Sequence, residues 1–216
     1  MPGPFQHAML QLVTTVFGPL GQDQGIAAAL LDRAEARLAI KLPTVLREFY
    51  VLTGRDPRVM EGMNHLLGPE ALYIKNGALV FEEESQHYFF SGIPLSDLVA
   101  DTDDPPVMQG NGGEDRWYLD SRHLSDYLLV LACWQACNAL PASAQATISG
   151  EQLARIQLEL NWANHGVDAG DDTVGLWGFD AAITAFTKSG DAFLGARSDG
   201  MLRNFAQRFG LDLSTT

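Results

Sequence analysis

The chain is poor in positive charge. Fourteen Lys and Arg stand against 27 Asp and Glu in 216 residues, giving a formal charge of -13 and a pI near 4.6. Such a field repels phosphate backbones and anionic lipid, which argues against direct nucleic-acid or membrane binding and ranks basic proteins first as partners. Cysteine is scarce too: Cys133 and Cys137 are four apart in LACWQACNAL. That is helical spacing, neither a redox C-x-x-C nor half of a four-ligand zinc pattern, so both are expected as buried free thiols. No apolar run approaches eighteen residues, and MPGPFQHAML lacks the basic start and long apolar core of a secretion signal, so the expected location is cytoplasmic. Missing as well are G-x-S-x-G, a phosphate loop, G-x-G-x-x-G and H-x-x-x-H, so neither a cofactor nor a metal is expected.

What is present is a foldable chain. Apolar residues make up 46% of it, enough to offset the ordering entropy of one domain over residues 1–216, with 1–22 as a helical extension. Phe5, Met9, Leu12, Val13, Val16 and Phe17 recur at helical spacing before GPLG. A second helix is expected over residues 24–40 and a third from Pro43 to Gly54, the glycine serving as C-terminal cap. From Ala71 the period changes: Asn76-Gly77 between two apolar runs predicts a hairpin of residues 72–75 and 78–83. HYFFSGI, DPPVMQG and RWYLD read as further extended pieces, with residues 94–99 as a turn-like segment between the first two. Ser121 is expected to cap a helix to about Asn138, and Ser149 with Gln152 to form a capping box opening a helix that ends at His165-Gly166. Two or three strands follow, then a helix from Ser198 to Gly210. The order of elements predicts the α+β class.

LVFEEESQH gathers three carboxylates beside His87. On a regular strand, however, Glu82 and Glu84 share one face while Glu83 and Phe81 share the other, so the three do not converge on a metal or a proton. DTDDPPVMQGNGGED offers Asp101, Asp103, Asp104, Glu114 and Asp115, which read as a solvated loop or a protein-contact loop. Asp168, Asp171 and Asp172 resemble a calcium loop without its distal glutamate. The histidines His7, His65, His87, His123 and His165 are scattered, and Trp117, Trp134, Trp162 and Trp177 are expected in the core.

The spacing Glu35, Leu38, Leu42-Pro43, Phe49-Tyr50, Gly54 resembles the N-terminal motif of the SUKH superfamily, which takes in Smi/Knr-type cell-wall-assembly regulators and bacterial toxin-immunity proteins. LVFEEESQ with Gln86, DPPV with Pro105 and Pro106, SDYLLVLACWQA with Trp134, and the closing AFLGARSDGMLRNFAQRFGLDL follow in the family's order, so the resemblance spans about residues 32–213. Ala39 and Arg55 depart from it where glycine is usual. The resemblance implies a bent, mainly antiparallel sheet with helices packed around it and no catalytic residues. It also implies either a toxin-neutralising immunity protein or a regulatory scaffold that binds several cellular proteins. On the immunity reading Glu82, Glu84, Asp101, Asp103, Asp104, Glu114 and Asp115 are the contact candidates for a basic toxin domain. An enzyme with a site assembled across the fold is the remaining alternative.

Overall fold

The structure, a computed structural model, describes residues 3–21, 23–62, 64–100, 102–113, 116–164, 173–178, 182–186 as backbone, and 190–214. The candidates Asp101, Glu114, Asp115, Asp168, Asp171 and Asp172, and His165, lie outside the described residues. The class is α+β: helices lead, every strand pair is antiparallel, and a helix closes the chain. The chain divides into two compact units, Met1–His7 with Gly21–Tyr127 and Ala8–Leu20 with Leu128–Thr216.

In the first unit the α-helices α2 (Ala28–Leu38) and α3 (Thr44–Thr53) precede a short α4 (Pro57–Met60). Strands β1 (Asn64–Leu66), β2 (Tyr73–Lys75), β3 (Ala78–Glu84), β4 (Phe89–Pro94), β5 (Val107–Asn111) and β6 (Trp117–Ser121) form one sheet, with a short α5 (Leu95–Val99) after β4. β1 and β2 share the outer side of β3, and the order then runs β4, β5, β6. The turn between β2 and β3 has Asn76 and Gly77 both at positive φ, 47° and 79°, the conformation a two-residue hairpin needs. Phe49 and Tyr50 are buried as an edge-on pair 5.8 Å apart, and the Tyr50 hydroxyl donates to the Leu67 carbonyl at 2.6 Å. Leu42 and Pro43 are buried, Leu38 half-buried.

Gly54 ends α3 as expected, its N–H donating to the Tyr50 carbonyl at 3.0 Å. Its φ and ψ of -64° and 0° are right-handed, open to any residue. What requires glycine there is room, because a Cβ would fall 2.6 Å from Ile26 Cδ1 and 2.7 Å from the Tyr50 carbonyl oxygen. The left-handed cap sits instead at Ala39, φ 54° and ψ 38°, whose N–H closes α2 on the Glu35 carbonyl. A methyl group in that region is disfavoured by about 1 kcal/mol against glycine. Ala39→Gly should therefore raise stability by no more than about 0.6 kcal/mol once the added freedom of the unfolded chain, about 0.4–1 kcal/mol, is discounted, readable as a small rise in urea midpoint; a fall would show that the methyl is needed by the fold.

The second unit is built on β7 (Ala142–Thr147), β8 (Asn161–Asn164), β9 (Val174–Gly178), β10 (Ala182–Phe186) and β11 (Asp191–Ala196), in the order β7-β11-β10-β9-β8. One face packs on α7 (Gly150–Gln157) and α8 (Asp199–Phe209) through Ala144, Leu176, Leu194, Ile156, Phe205 and Phe209. The other meets residues 130–137 of α6 (Leu124–Ala139), where Gly175 and Gly195 let the helix backbone come close: a Cβ on them would lie 2.9 Å from Val130 Cα and 2.7 Å from Cys137 Cα. Trp134 stands edge-on to Phe193 at 4.8 Å, and Cys133 and Cys137 are buried free thiols, as expected. Both predicted caps form: Ser149 and Gln152 make a capping box, and Ser198 accepts from the Met201 N–H while Gly210 ends α8 at φ 67°. The helix expected to reach His165 stops at Gln157, however, and residues 161–164 turn to pair with β9, leaving Trp162 half exposed rather than in the core.

The last turn of α1 (Pro4–Phe17) belongs to this unit, and its carbonyls at Thr14, Thr15 and Val16 accept from the Arg197 guanidinium, Thr14 sharing its oxygen with the Gly18 N–H at 3.1 Å. Arg197→Ala should cost about 1–2 kcal/mol and expose the α1 amides to faster hydrogen exchange. Unchanged exchange would remove the capping role. Among the described residues no helix is long and apolar enough to cross a membrane.

Candidate functional site

The acidic stretch at the end of β3 is not arranged as strand alternation predicts. Val80 pairs with Gly92 and Glu82 with Ser91, so an extra residue is inserted on β3. Such a bulge re-aims side chains, and here it turns both Phe81 and Glu82 inward onto Tyr127. The two rings stand edge-on at 5.8 Å, and the Tyr127 hydroxyl donates to the Glu82 carboxylate. Asn64 Nδ2 donates to its other oxygen, and Ser91, bonded to the Tyr127 hydroxyl at 2.7 Å, supplies a further hydrogen bond. Glu82 is 0% exposed. It is thus withdrawn from the contact candidates: a buried carboxylate held by three neutral donors cannot meet a partner's surface. Burial pushes its carboxyl above the usual range, the Asp120 charge adds to that, and the three hydrogen bonds offset only part of it.

Its neighbours are differently engaged. Glu83 accepts from the Tyr73 hydroxyl at 2.7 Å and lies 3.5 Å from His87 Nδ1. Glu84 organises the hairpin tip, accepting from the Gln86 and Tyr88 N–H groups at 2.9 and 3.3 Å and from the Ser85 hydroxyl at 3.2 Å. Gln86 itself is exposed, so its contribution to the fold is made by its main chain.

Asp103 and Asp104 lie before β5, at the opposite end of the sheet from that tip, since β5 leaves toward Gly112, whose N–H donates to the Tyr88 carbonyl at 3.0 Å. Asp103 accepts from the Thr44 hydroxyl at the start of α3. Asp104 caps α6 from a distance: it accepts from the Ser125 N–H at 2.8 Å and the Ser125 hydroxyl at 2.7 Å, while the Pro105 carbonyl takes the Leu124 N–H. Ser121, expected as that cap, instead ends β6 and bonds His123. Pro105 is buried and Pro106 half-buried. The described acidic candidates are therefore split between two ends of one sheet and form no single cluster.

A second arrangement lies at the corner between α2 and α3. Glu35, buried, accepts from the Leu42 N–H at 2.9 Å and pairs with Lys41 at 3.0 Å and Arg47 at 2.9 Å. Arg47 in turn reaches Asp32 at 2.9 Å. Burial pushes the Glu35 carboxyl up, but the Leu42 N–H and the two cations outweigh it and hold it below its ordinary value. Around this corner lie two concavities of about 390 and 310 Å3. One is lined by Asp32, Glu35, Ala36, Ala39, Ile40 and Lys41, the other by Ala39, Ile40, Lys41, Leu98 and Val99. A small recess beyond them is bounded by Thr44 and Asp103.

Sequence reasoning overlooked Ile40 and Val99 here, and Asn64 and Tyr127 around Glu82. Val99 is 87% exposed, a β-branched apolar residue at the end of a helix too short for periodicity to mark. Among the described residues no group of three His, Cys, Asp or Glu stands together as a metal site. No family model, curated protein or solved structure matches the chain.

Proposed function

We propose that the chain is a non-catalytic protein-binding module, an immunity-type protein that neutralises a basic toxin domain of the nuclease or nucleic-acid deaminase class by direct binding in the cytoplasm. The observation that carries this reading is where the charge lies. Eighteen of the 27 acids and nine of the 14 bases belong to the first unit, which thus holds -9 of the -13. A field of that sign speeds encounter with a basic cleft and opposes nucleic acid. The motif order that resembles the SUKH superfamily supports the same reading, and two of its residues, Glu35 and Leu42, bond to each other across the α2 and α3 corner.

The test is co-purification of the chain with the product of the adjacent gene, with protection of cells expressing that product. Association should slow by at least about tenfold between low and physiological salt. Failure to bind or protect sinks the immunity reading, and capture of several unrelated endogenous proteins in its place would favour the scaffold.

A further inference from the structure

We propose that β6 is a pairing edge for a second copy of the chain, the two β6 strands running antiparallel about a two-fold axis at Tyr118. Among the described residues only β5 pairs with β6, so the sheet ends there. The edge is accessible: Arg116 is exposed, and Tyr118 and Leu119 are 50% and 40% exposed. A strand so placed presents main-chain groups ready to take another strand.

The register shows which groups those are. The Gly112 N–H bonds the Tyr88 carbonyl and Phe90 pairs with Gly110, so the even residues of β5 turn their main-chain groups to β4 and the odd ones, Gln109 among them, to β6. Gln109 pairs with Tyr118. Tyr118 is therefore bonded inward, and Trp117 and Leu119 direct N–H and C=O to the open edge. With Tyr118 facing its own counterpart, Trp117 of each copy exchanges hydrogen bonds with Leu119 of the other, and the two apolar side chains meet on one face.

The charges select this occupant and this register. Glu82, Ser91, Gln109 and Tyr118 form one cross-strand row, and the Asp120 charge is felt at Glu82, which puts Asp120 on the Tyr118 face. Arg116, two residues before Tyr118, faces the same way by alternation. An axis at Tyr118 sets Arg116 of each copy opposite Asp120 of the other, an attraction made twice over. An axis at Leu119 would set Arg116 against Arg122, and one at Trp117 would part Arg116 from Asp120. To an unrelated strand the two charges are a guard on the edge; to its own copy, run antiparallel, they are complementary. The contact is short, because Val107 pairs with Ser121 and Met108 with Leu119, leaving Asp120 as a bulge that ends the regular ladder. Such a dimer belongs with the weak complexes below about 1,200 Å2. At physiological salt the remaining charge of the two copies is screened beyond about 8 Å.

The test is sedimentation equilibrium of the full chain at physiological salt, up to about 1 mM, the range that weak association requires. Mass should rise reversibly toward the dimer. Leu119→Pro removes an outward N–H and leaves the ladder with β5 intact, so it should weaken association at least tenfold with little change in urea midpoint. Arg116→Asp and Asp120→Arg should each weaken it about tenfold alone, and an equimolar mixture of the two should recover dimers, because each variant supplies the charge the other has lost. A monomer at every concentration overturns the proposal, as does a dimer indifferent to Leu119→Pro or a mixture no better than its components. Should Leu119→Pro fail to fold, the mixture decides alone. The pairing stands apart from the toxin-binding reading, and neither result depends on the adjacent-gene product.

Discussion

Gly25→Ala is expected to destabilise the first unit by about 3 kcal/mol, the upper end of the usual cost of overpacking. A Cβ at Gly25 would lie 1.9 Å from the Val51 carbonyl oxygen and 3.0 Å from its carbon, both main-chain atoms of α3. The segment cannot swing away cheaply, because it is stitched to the same helix end on both sides: the Ile26 N–H donates to the Tyr50 carbonyl at 2.9 Å and the Arg55 N–H to the Gln24 carbonyl at 2.8 Å. Relief would break those hydrogen bonds or withdraw Ile26 from the core. Gly113→Ala is the matched control, since nothing lies within 4 Å of its Cβ position, and it should change stability by less than about 0.5 kcal/mol. Urea unfolding of the two variants checks this. A Gly25→Ala midpoint equal to that of Gly113→Ala would mean that the strand of chain before α2 is not held as described.

The features legible in the sequence are those whose partners lie within a few residues. Asn76-Gly77, the Ser149 and Gln152 box, and Ser198 with Gly210 each carry their own geometry, and each is where it was read. The first three helices, the strands from β2 to β6 and the closing helix follow from periodicity for the same reason. Where the deciding contact is distant, reading failed. β7 alternates buried and exposed residues perfectly, but its buried members are Ala142, Ala144 and Ala146, too weak in β-propensity to mark a strand until β11 pairs with it. Asp104 looked like solvated loop because the helix it caps begins twenty residues later. Gly54 was legible as the end of α3, but the close approach of Ile26 that requires a glycine there comes from nearly thirty residues upstream. The corner at Ile40 was half legible: Glu35, Leu42 and Pro43 drew attention as a motif, while the hollows depend on α5, whose five residues read as a turn.

Glu82 is the sharpest such case and gives the second large effect. Glu82→Ala should cost about 3 kcal/mol or more, because it opens a cavity beside Tyr127 and strips Asn64, Tyr127 and Ser91 of their shared acceptor. Glu82→Gln should cost far less at low pH. The amide keeps one acceptor oxygen for Asn64 and presents its NH2 to the Tyr127 hydroxyl, whose proton can pass to Ser91, 2.7 Å away. The pH dependence separates the roles of the two buried glutamates. Folding raises the Glu82 pKa, so its contribution is fully present below the unfolded value near 4.5 and is lost as pH climbs through the raised folded value. Glu35 runs the other way: folding lowers its pKa, so its contribution is present above that same unfolded value and lost as pH falls. Wild-type stability mixes the two, but Glu82→Gln removes one. Measured by urea unfolding from pH 4 to 8, Glu82→Gln should gain on the wild type steadily as pH rises. A constant difference between them across that range would mean that Glu82 ionises alike in the folded and unfolded chain, and that its three donors offset the whole effect of burial.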